Sequence, residues 1–217
     1  MKEKALGSLP GIPSLLGSLL LMLAGAAALV YAVVLAKSGA SGAGMLVLSG
    51  LLLAVTGLLL SCGLYMVQPN QAAVVSLFGK YVGTVKDNGL RWNNPFFTKK
   101  KVSQRVRNFE SGKLKVNELD GSPIEIAAVI VWQVVDASEA VYNVDDYESF
   151  VHIQSESALR AMATSYPYDQ HEDGQLSMRS HASEISQHLK DELAERLADA
   201  GVQVIEARIS HLAYAQE

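Results

Sequence analysis

The chain has 217 residues, 49% of them hydrophobic and 18% charged, with 18 basic and 22 acidic side chains and a formal net charge of -4. Soluble domains carry roughly 25% charged residues, and the deficit here is confined to residues 5–36 and 38–79, which hold no charged side chain. This composition excludes a disordered chain, a collagen and a disulfide scaffold, and Cys62, the single cysteine, excludes zinc ribbons and iron–sulfur centres.

Leu15–Ala36 is a 22-residue apolar run and Met45–Val67 a second of 23. A helix needs ~20 such residues to cross a bilayer. Both runs are free of proline and rich in Leu and Ala with scattered Gly, and small residues let helices approach closely. The joining segment, residues 37–44 (KSGASGAG), is short, so the two helices form an antiparallel hairpin with both chain ends on one side. Lys2, Lys4, Lys80 and Lys86 flank that side and Lys37 alone the other, which places the termini in the cytoplasm by the positive-inside bias. A signal peptide shares the basic start, but its apolar core is ~7–15 residues and no second run follows at once. Cys62 reads as a small packed or lipid-facing residue, with lipidation near the membrane face as the alternative. The expectation is a multi-pass protein of the cell membrane, with residues 1–14 an N-terminal segment and 15–67 the hairpin.

Pro69 and Asn70 are expected to end the second helix as it leaves the membrane. Gln71–Phe78 and Tyr81–Val85 read as strands about a Gly79-Lys80 turn, and residues 87–89 (DNG) as a further turn. Residues 90–97, LRWNNPFF, place Trp92, Phe96 and Phe97 in an exposed loop around Pro95, directly before Lys99, Lys100 and Lys101. Val102–Arg107 alternates apolar with polar, Ser111–Leu119 reads as a half-buried strand, and Asp120-Gly121 as a hairpin turn. Ile124–Val135, IEIAAVIVWQVV, is the strongest strand, with a central run suited to burial on both faces. Asp136, with Glu139 at capping-box spacing, opens a short helix ending near Asn143. Asp145 or Asp146 caps Tyr147–Ser165, whose apolar face is Phe150, Ile153, Ser157 and Met162, widened by Val151, Ala158 and Leu159. Tyr166-Pro167-Tyr168 stops it. Ser177–Ala200 is a third helix, with Ile185, Leu189, Leu193, Leu197 and Ala200 on one side and Gly201 as its C-cap. Val202–Ile209 alternates again, with Gln203, Ile205, Ala207 and Ile209 as the expected core face. Strands first, helices second and one closing strand define an α+β fold, strand-rich over 68–119 and helix-plus-strand over 120–217.

Residues 80–115 hold ten basic and two acidic side chains, whereas 116–217 hold five basic and nineteen acidic. Two readings stand. The basic part faces anionic head groups, each attracted at ~1 kcal/mol near the surface, with the aromatics at head-group level; or subunits meet positive end to negative end.

Signals for chemistry are weak. His181 and His188 share a helix face with Glu184 between them, a weak metal site or, as is commoner, a solvated face. His152 and Glu156 have only Ser155 and Ser157 beside them as nucleophiles, and His171 and His211 stand apart. HExxH, GxSxG, P-loop and dinucleotide fingerprints are all missing. The adjacent carboxylates Asp145-Asp146 and Glu172-Asp173 are explained by caps and turns. No catalytic, cofactor-binding or metal-binding residue is therefore assigned. Lys99–Lys101 suggest nucleic acid, but the acidity of the domain and the hydrophobic anchor oppose it.

Three segments together carry a resemblance: residues 65–96 (YMVQPNQAAVVSLFGKYVGTVKDNGLRWNNPF), 120–160 (DGSPIEIAAVIVWQVVDASEAVYNVDDYESFVHIQSESALR) and 200–217 (AGVQVIEARISHLAYAQE). Their order and sequence resemble the SPFH (band 7) domain of stomatins, prohibitins, flotillins and bacterial membrane-protease modulators, and the hairpin is more like the stomatin anchor than the prohibitin one. The resemblance implies two subdomains, matching Gln71–Glu118 and Gly121–Leu212. It further implies a non-enzymatic scaffold that homo-oligomerises at the membrane surface and organises lipids and membrane proteins. Trp92, Pro95, Phe96 and Phe97 match the membrane-touching loop, with Lys99, Lys100 and Lys101 beside it. Tyr147–Ser165 and Ser177–Ala200 match subunit-packing regions, with Phe150 and Leu159 as contact candidates. The alternatives are a regulatory partner of a membrane protease or channel, and an enzyme acting on lipid or peptide. The family continues into a coiled coil where this chain reaches Glu217, and relatives carry Pro where Gln216 stands. Smaller or labile oligomers are therefore expected here.

Overall fold

The computed structural model describes residues 3–38, 42–169 and 176–215. Ser41, His171, Glu172-Asp173, Gln216 and Glu217 lie outside them. The chain divides into two compact units, Lys4–Lys101 and Val102–Glu217 with Met1–Glu3.

The first unit holds β1 (Leu9–Pro10), α1 (Gly11–Lys37), α2 (Ala43–Ser61), β2 (Leu64–Val67), β3 (Gln71–Leu77), β4 (Lys80–Val85), β5 (Gly89–Trp92) and the start of β6 (Thr98–Ser103). The 27 residues of α1 and 19 of α2 span about 40 and 28 Å at ~1.5 Å per residue. Both are long and apolar enough to cross a membrane and are left largely uncovered by protein. Residues 11, 18, 25 and 32 are the buried positions of α1, and 50 and 57 those of α2. A seven-residue period is about 3.5 residues per turn, the spacing at which one stripe keeps facing a neighbouring helix. The stripe is made of small residues because the backbones touch. A Cβ on Gly25 would lie 2.7 Å from the Gly50 carbonyl oxygen, and one on Gly57 2.9 Å from that of Ser18, an antiparallel register.

The second apolar run does not stay helical. α2 ends at Ser61, and Leu64–Val67 pairs antiparallel with β5, from Leu64 opposite Trp92 to Val67 opposite Gly89. Gly63 makes the switch possible, since a Cβ there would meet the Asn93 carbonyl oxygen at 2.3 Å. Asn70, in the left-handed region (φ 56), turns β2 into β3 and does not break a helix. The N-terminal segment joins the same unit. Ala5 bridges Thr84 in parallel, Leu6 N–H donates to the Thr84 carbonyl (2.9 Å), and β1 pairs with β5. The strands form two small sheets, β1-β5-β2 and β4-β3-β6, over a core of Tyr65, Val67, Ala73, Val75 and Val85, with Leu6 and Phe97 packed against it.

The second unit holds β7 (Arg107–Glu110), β8 (Leu114–Asn117), β9 (Pro123–Val134), α3 (Ala137–Tyr142), α4 (Tyr147–Ser165), α5 (Ala182–Leu197), a 3-10 turn at Ala198–Ala200, and β10 (Val202–Tyr214). Val102–Arg107 is not one strand: its ends belong to β6 and β7, in different sheets, and Val106 between them is exposed. β7 and β8 both pair with β9, so the region 107–117 shares a sheet with β9 and β10. Burial on both faces of β9 holds only near Ala127 and Ala128; beyond them Ile130, Trp132 and Val134 are buried while Val129 and Val131 are half-buried.

Asp136 and Asp146 cap α3 and α4 as their positions demand. The apolar face of α4 is rotated from the expected one: Val151, Ser155, Ala158, Leu159 and Met162 are buried, whereas Ile153 and Ser157 are exposed. α5 begins five residues later than expected, yet its stripe of Ile185, Leu189, Leu193 and Leu197 is fully buried. Gly201 caps the last turn at φ 65, where a Cβ would strike the Asp136 carbonyl oxygen at 2.3 Å. In β10, Val202 and Val204 are buried, the reverse of the expected face, while Ala207 is buried as expected. The cause is a bulge between Val204 and Glu206: one extra residue moves the inward positions to the other parity.

Candidate membrane-facing site

The site is built where α2 hands over to β2. The last turn of any helix leaves carbonyls without intrahelical partners, and here Trp92 answers one: its indole Nε1–H donates to the Leu60 carbonyl at 2.7 Å. Asn93 follows, buried, donating its backbone N–H to Gly63 (3.1 Å) and its side-chain amide to the Tyr65 hydroxyl (2.9 Å). Burial raises the Tyr65 phenol above its ordinary range, against the opposing pull of the Asn93 bond. Lys99 places its ammonium 5.1 Å above the Tyr65 ring, and burial holds that ammonium below the usual lysine range. Cys62 is exposed at the C-cap of α2.

The seven residues proposed for membrane contact therefore separate. Phe96 (67% exposed), Lys100 and Lys101 reach solvent. Trp92, Pro95, Phe97 and Lys99 are half-covered by the chain itself: Trp92 closes strand β5, and Phe97 packs on the sheet core. The exposed loop is thus shorter than 90–97, because strand pairing takes its first three residues and the core takes its last. Beside Trp92 and Leu60, Leu9 of β1 and the α1 face at Ser14, Gly17 and Leu21 open an apolar cleft of about 620 Å³. Asn93, Tyr65 and Gly63 were not singled out from sequence.

The two contact candidates of α4 also part company. Phe150 is half-buried, but Leu159 is 0% exposed, inside its own chain's core, and cannot reach a neighbour. His188 shares a 2.8 Å hydrogen bond with the Tyr166 hydroxyl, and His181 Nδ1 accepts from the Ser177 N–H at 3.3 Å, so these two rings have partners within the chain. His152 packs on Phe109 at 3.9 Å between ring centroids. Among the described residues, no group of three or more His, Cys, Asp or Glu is placed to hold a metal ion.

A helix pair of spanning length, carrying at its end a small strand-built unit that continues into an α+β unit, defines a membrane-associated modular protein. The profile of the SPFH domain / Band 7 family matches residues 65–217, and the chain belongs to that family. A relative in Methanothermobacter thermautotrophicus, an uncharacterized protein, is 28% identical over 144 residues. That match covers 66% of this chain and 45% of the relative, so the chain spans less than half of the relative's length.

Proposed function

We propose that the protein is a non-enzymatic scaffold of the cell membrane, anchored by its hairpin with the folded part on the cytoplasmic side, that homo-oligomerises at the surface and organises lipids and membrane proteins. One observation carries this reading. Strand β1 enters α1 directly and β2 leaves α2 after two residues, and both pair with β5. The β1-β5-β2 sheet is therefore joined directly to the start of α1 and to the end of α2, which supports a folded part held at the bilayer surface without a tether. In this reading Phe96 dips among the head groups and Lys100 and Lys101 sit over anionic lipid, where aromatic and basic residues are favoured. Mass photometry of the full chain in mild detergent tests the scaffold: oligomers that grow with concentration are expected, and a strict monomer under every condition would end this reading.

A further inference from the structure

We propose that the outer edge of β10 is a docking groove for an extended peptide segment of another protein, added as a further strand and selected by Lys190 for acidic side chains. β10 is the outermost strand of its sheet, and among the described residues the backbone of 203–214 bonds only to β9. A free row of N–H and C=O groups is the template on which strand addition works. The edge is also walled. A cleft of about 490 Å³ is lined by the consecutive residues Ile205–Ile209 and, opposite, by Ser186, Gln187 and Lys190 of α5. Alternate residues of a strand belong to opposite faces, so a lining of five consecutive residues means that the cleft runs along the edge and not over a face. A second recess of about 390 Å³ shares Ile209 and continues past Leu212. Together they follow eight residues of strand, roughly 27 Å at ~3.4 Å per residue.

The charge of the groove sets its occupant. Residues 116–217 carry five basic and nineteen acidic side chains, yet the groove does not share that sign. Glu206 is neutralised by Arg208, Arg179 in the second recess is tied to Asp169 at 3.1 Å, and among the described residues Lys190 has no acidic partner. Side chains of an added strand alternate between the α5 wall and the opposite face. An acidic residue meets Lys190 on the first, and a β-branched one covers Val129 and Val131, which lie with Arg208 on the second. The β6 edge of a second copy is a poor occupant, since it carries Lys99, Lys100 and Lys101 and brings like charge to Lys190. Register shifts after Val204 and after Ile209 bracket the regular stretch Glu206–Ile209; such bulges discourage long flat self-pairing and leave a short, defined register.

The proposal rests on the scaffold reading only for the identity of its client, a protein held at the membrane. The full chain in nanodiscs is titrated with a fluorescein-labelled, end-capped peptide of seven alternating Val and Glu residues, and with versions N-methylated at every second residue in either phase. Saturable binding is expected, with amides within 203–212 becoming protected from hydrogen exchange and one methylated phase at least tenfold weaker. Lys190→Glu, at the surface of α5, should weaken binding by roughly fivefold and favour the corresponding Val/Lys peptide, with the oligomer size unchanged. Absent binding, equal binding of both methylated phases, or protection confined to other strands overturns the groove. Protection of β10 that rises with the chain's own concentration, without peptide, overturns the choice of occupant.

Discussion

Phe78 stands 90% exposed in the left-handed region (φ 48) of the two-residue turn between β3 and β4, followed by Gly79 at φ 83. Two positive φ values make this the turn type that favours Asn-Gly, because a Cβ in the left-handed region crowds its own carbonyl. Phe78→Asn should therefore stabilise the chain by about 1 kcal/mol, read as a rise in apparent Tm in detergent; an unchanged or lower Tm would show that the ring contributes contacts that its exposure conceals. Asp136 presents the opposite case. Its carboxylate accepts from the N–H groups of Ser138 and Glu139 and from that of Glu3. Burial pushes its pKa up, but these bonds and the Ser138 hydroxyl outweigh burial and hold it below the ordinary range. A depressed carboxylate stabilises above its unfolded pKa and loses that stabilisation as pH falls through the folded value. Asp136→Ala should cost about 1–2 kcal/mol at neutral pH, and its gap from wild type should close below about pH 4. A gap independent of pH would assign the loss to packing. Both caps were legible in the sequence, since an Asp before an amphipathic run has a local job. Trp92 and Asn93 were not, since their partners Leu60 and Tyr65 lie about thirty residues away in sequence.

Elements obey the same division between local and distant causes. The stripes of α5 and the strand character of β9 follow from periodicity alone, and both are present. The end of α2 is different: residues 45–67 are uncharged and mostly apolar throughout, and hydropathy cannot distinguish a helix that continues from one that yields Leu64–Val67 to a strand. The decision belongs to β5, which supplies the hydrogen bonds. In β10 a single bulge reverses the buried parity, and no pattern of side chains announces where one extra residue enters. The hairpin itself can be tested at its closest approach. Gly50 lies against the Gly25 carbonyl oxygen at 3.0 Å from a built Cβ, and Gly50→Leu has no room without separating the helices. The expected loss is roughly 1–3 kcal/mol, seen as a lower midpoint for loss of helical signal in detergent. If α1 and α2 cross the membrane, Gly44→Cys and Phe78→Cys, made singly in a Cys62→Ser background, should label from opposite sides of sealed vesicles. Both labelling from one side would exclude a spanning hairpin.

At the scale of the whole molecule, assembly depends on surfaces that a single chain leaves uncovered. With Leu159 inside the core, the exposed face of α4 offers Phe150 and Ile153, the latter 64% exposed. Burying one such side chain contributes about 1.5–3 kcal/mol, too little for a stable soluble dimer. In the proposed scaffold, confinement to the bilayer would raise the effective concentration enough for a contact of this size to cluster chains. The uneven charge, ten basic to two acidic over 80–115 and five to nineteen over 116–217, would steer and orient neighbours more than it tightens them. Mass photometry in nanodiscs and mild detergent separates these contributions. Phe150→Asp with Ile153→Asp should shift the distribution toward monomer, by at least tenfold in apparent Kd, or about 1.4 kcal/mol, while the Tm stays near that of wild type because neither side chain is fully buried. Raising salt until the screening length falls toward ~3 Å should slow assembly of the wild type and leave its final size nearly unchanged. Oligomers indifferent to both aspartates would move the contact off α4, and assembly rates indifferent to salt would remove charge steering while leaving the apolar contact in place.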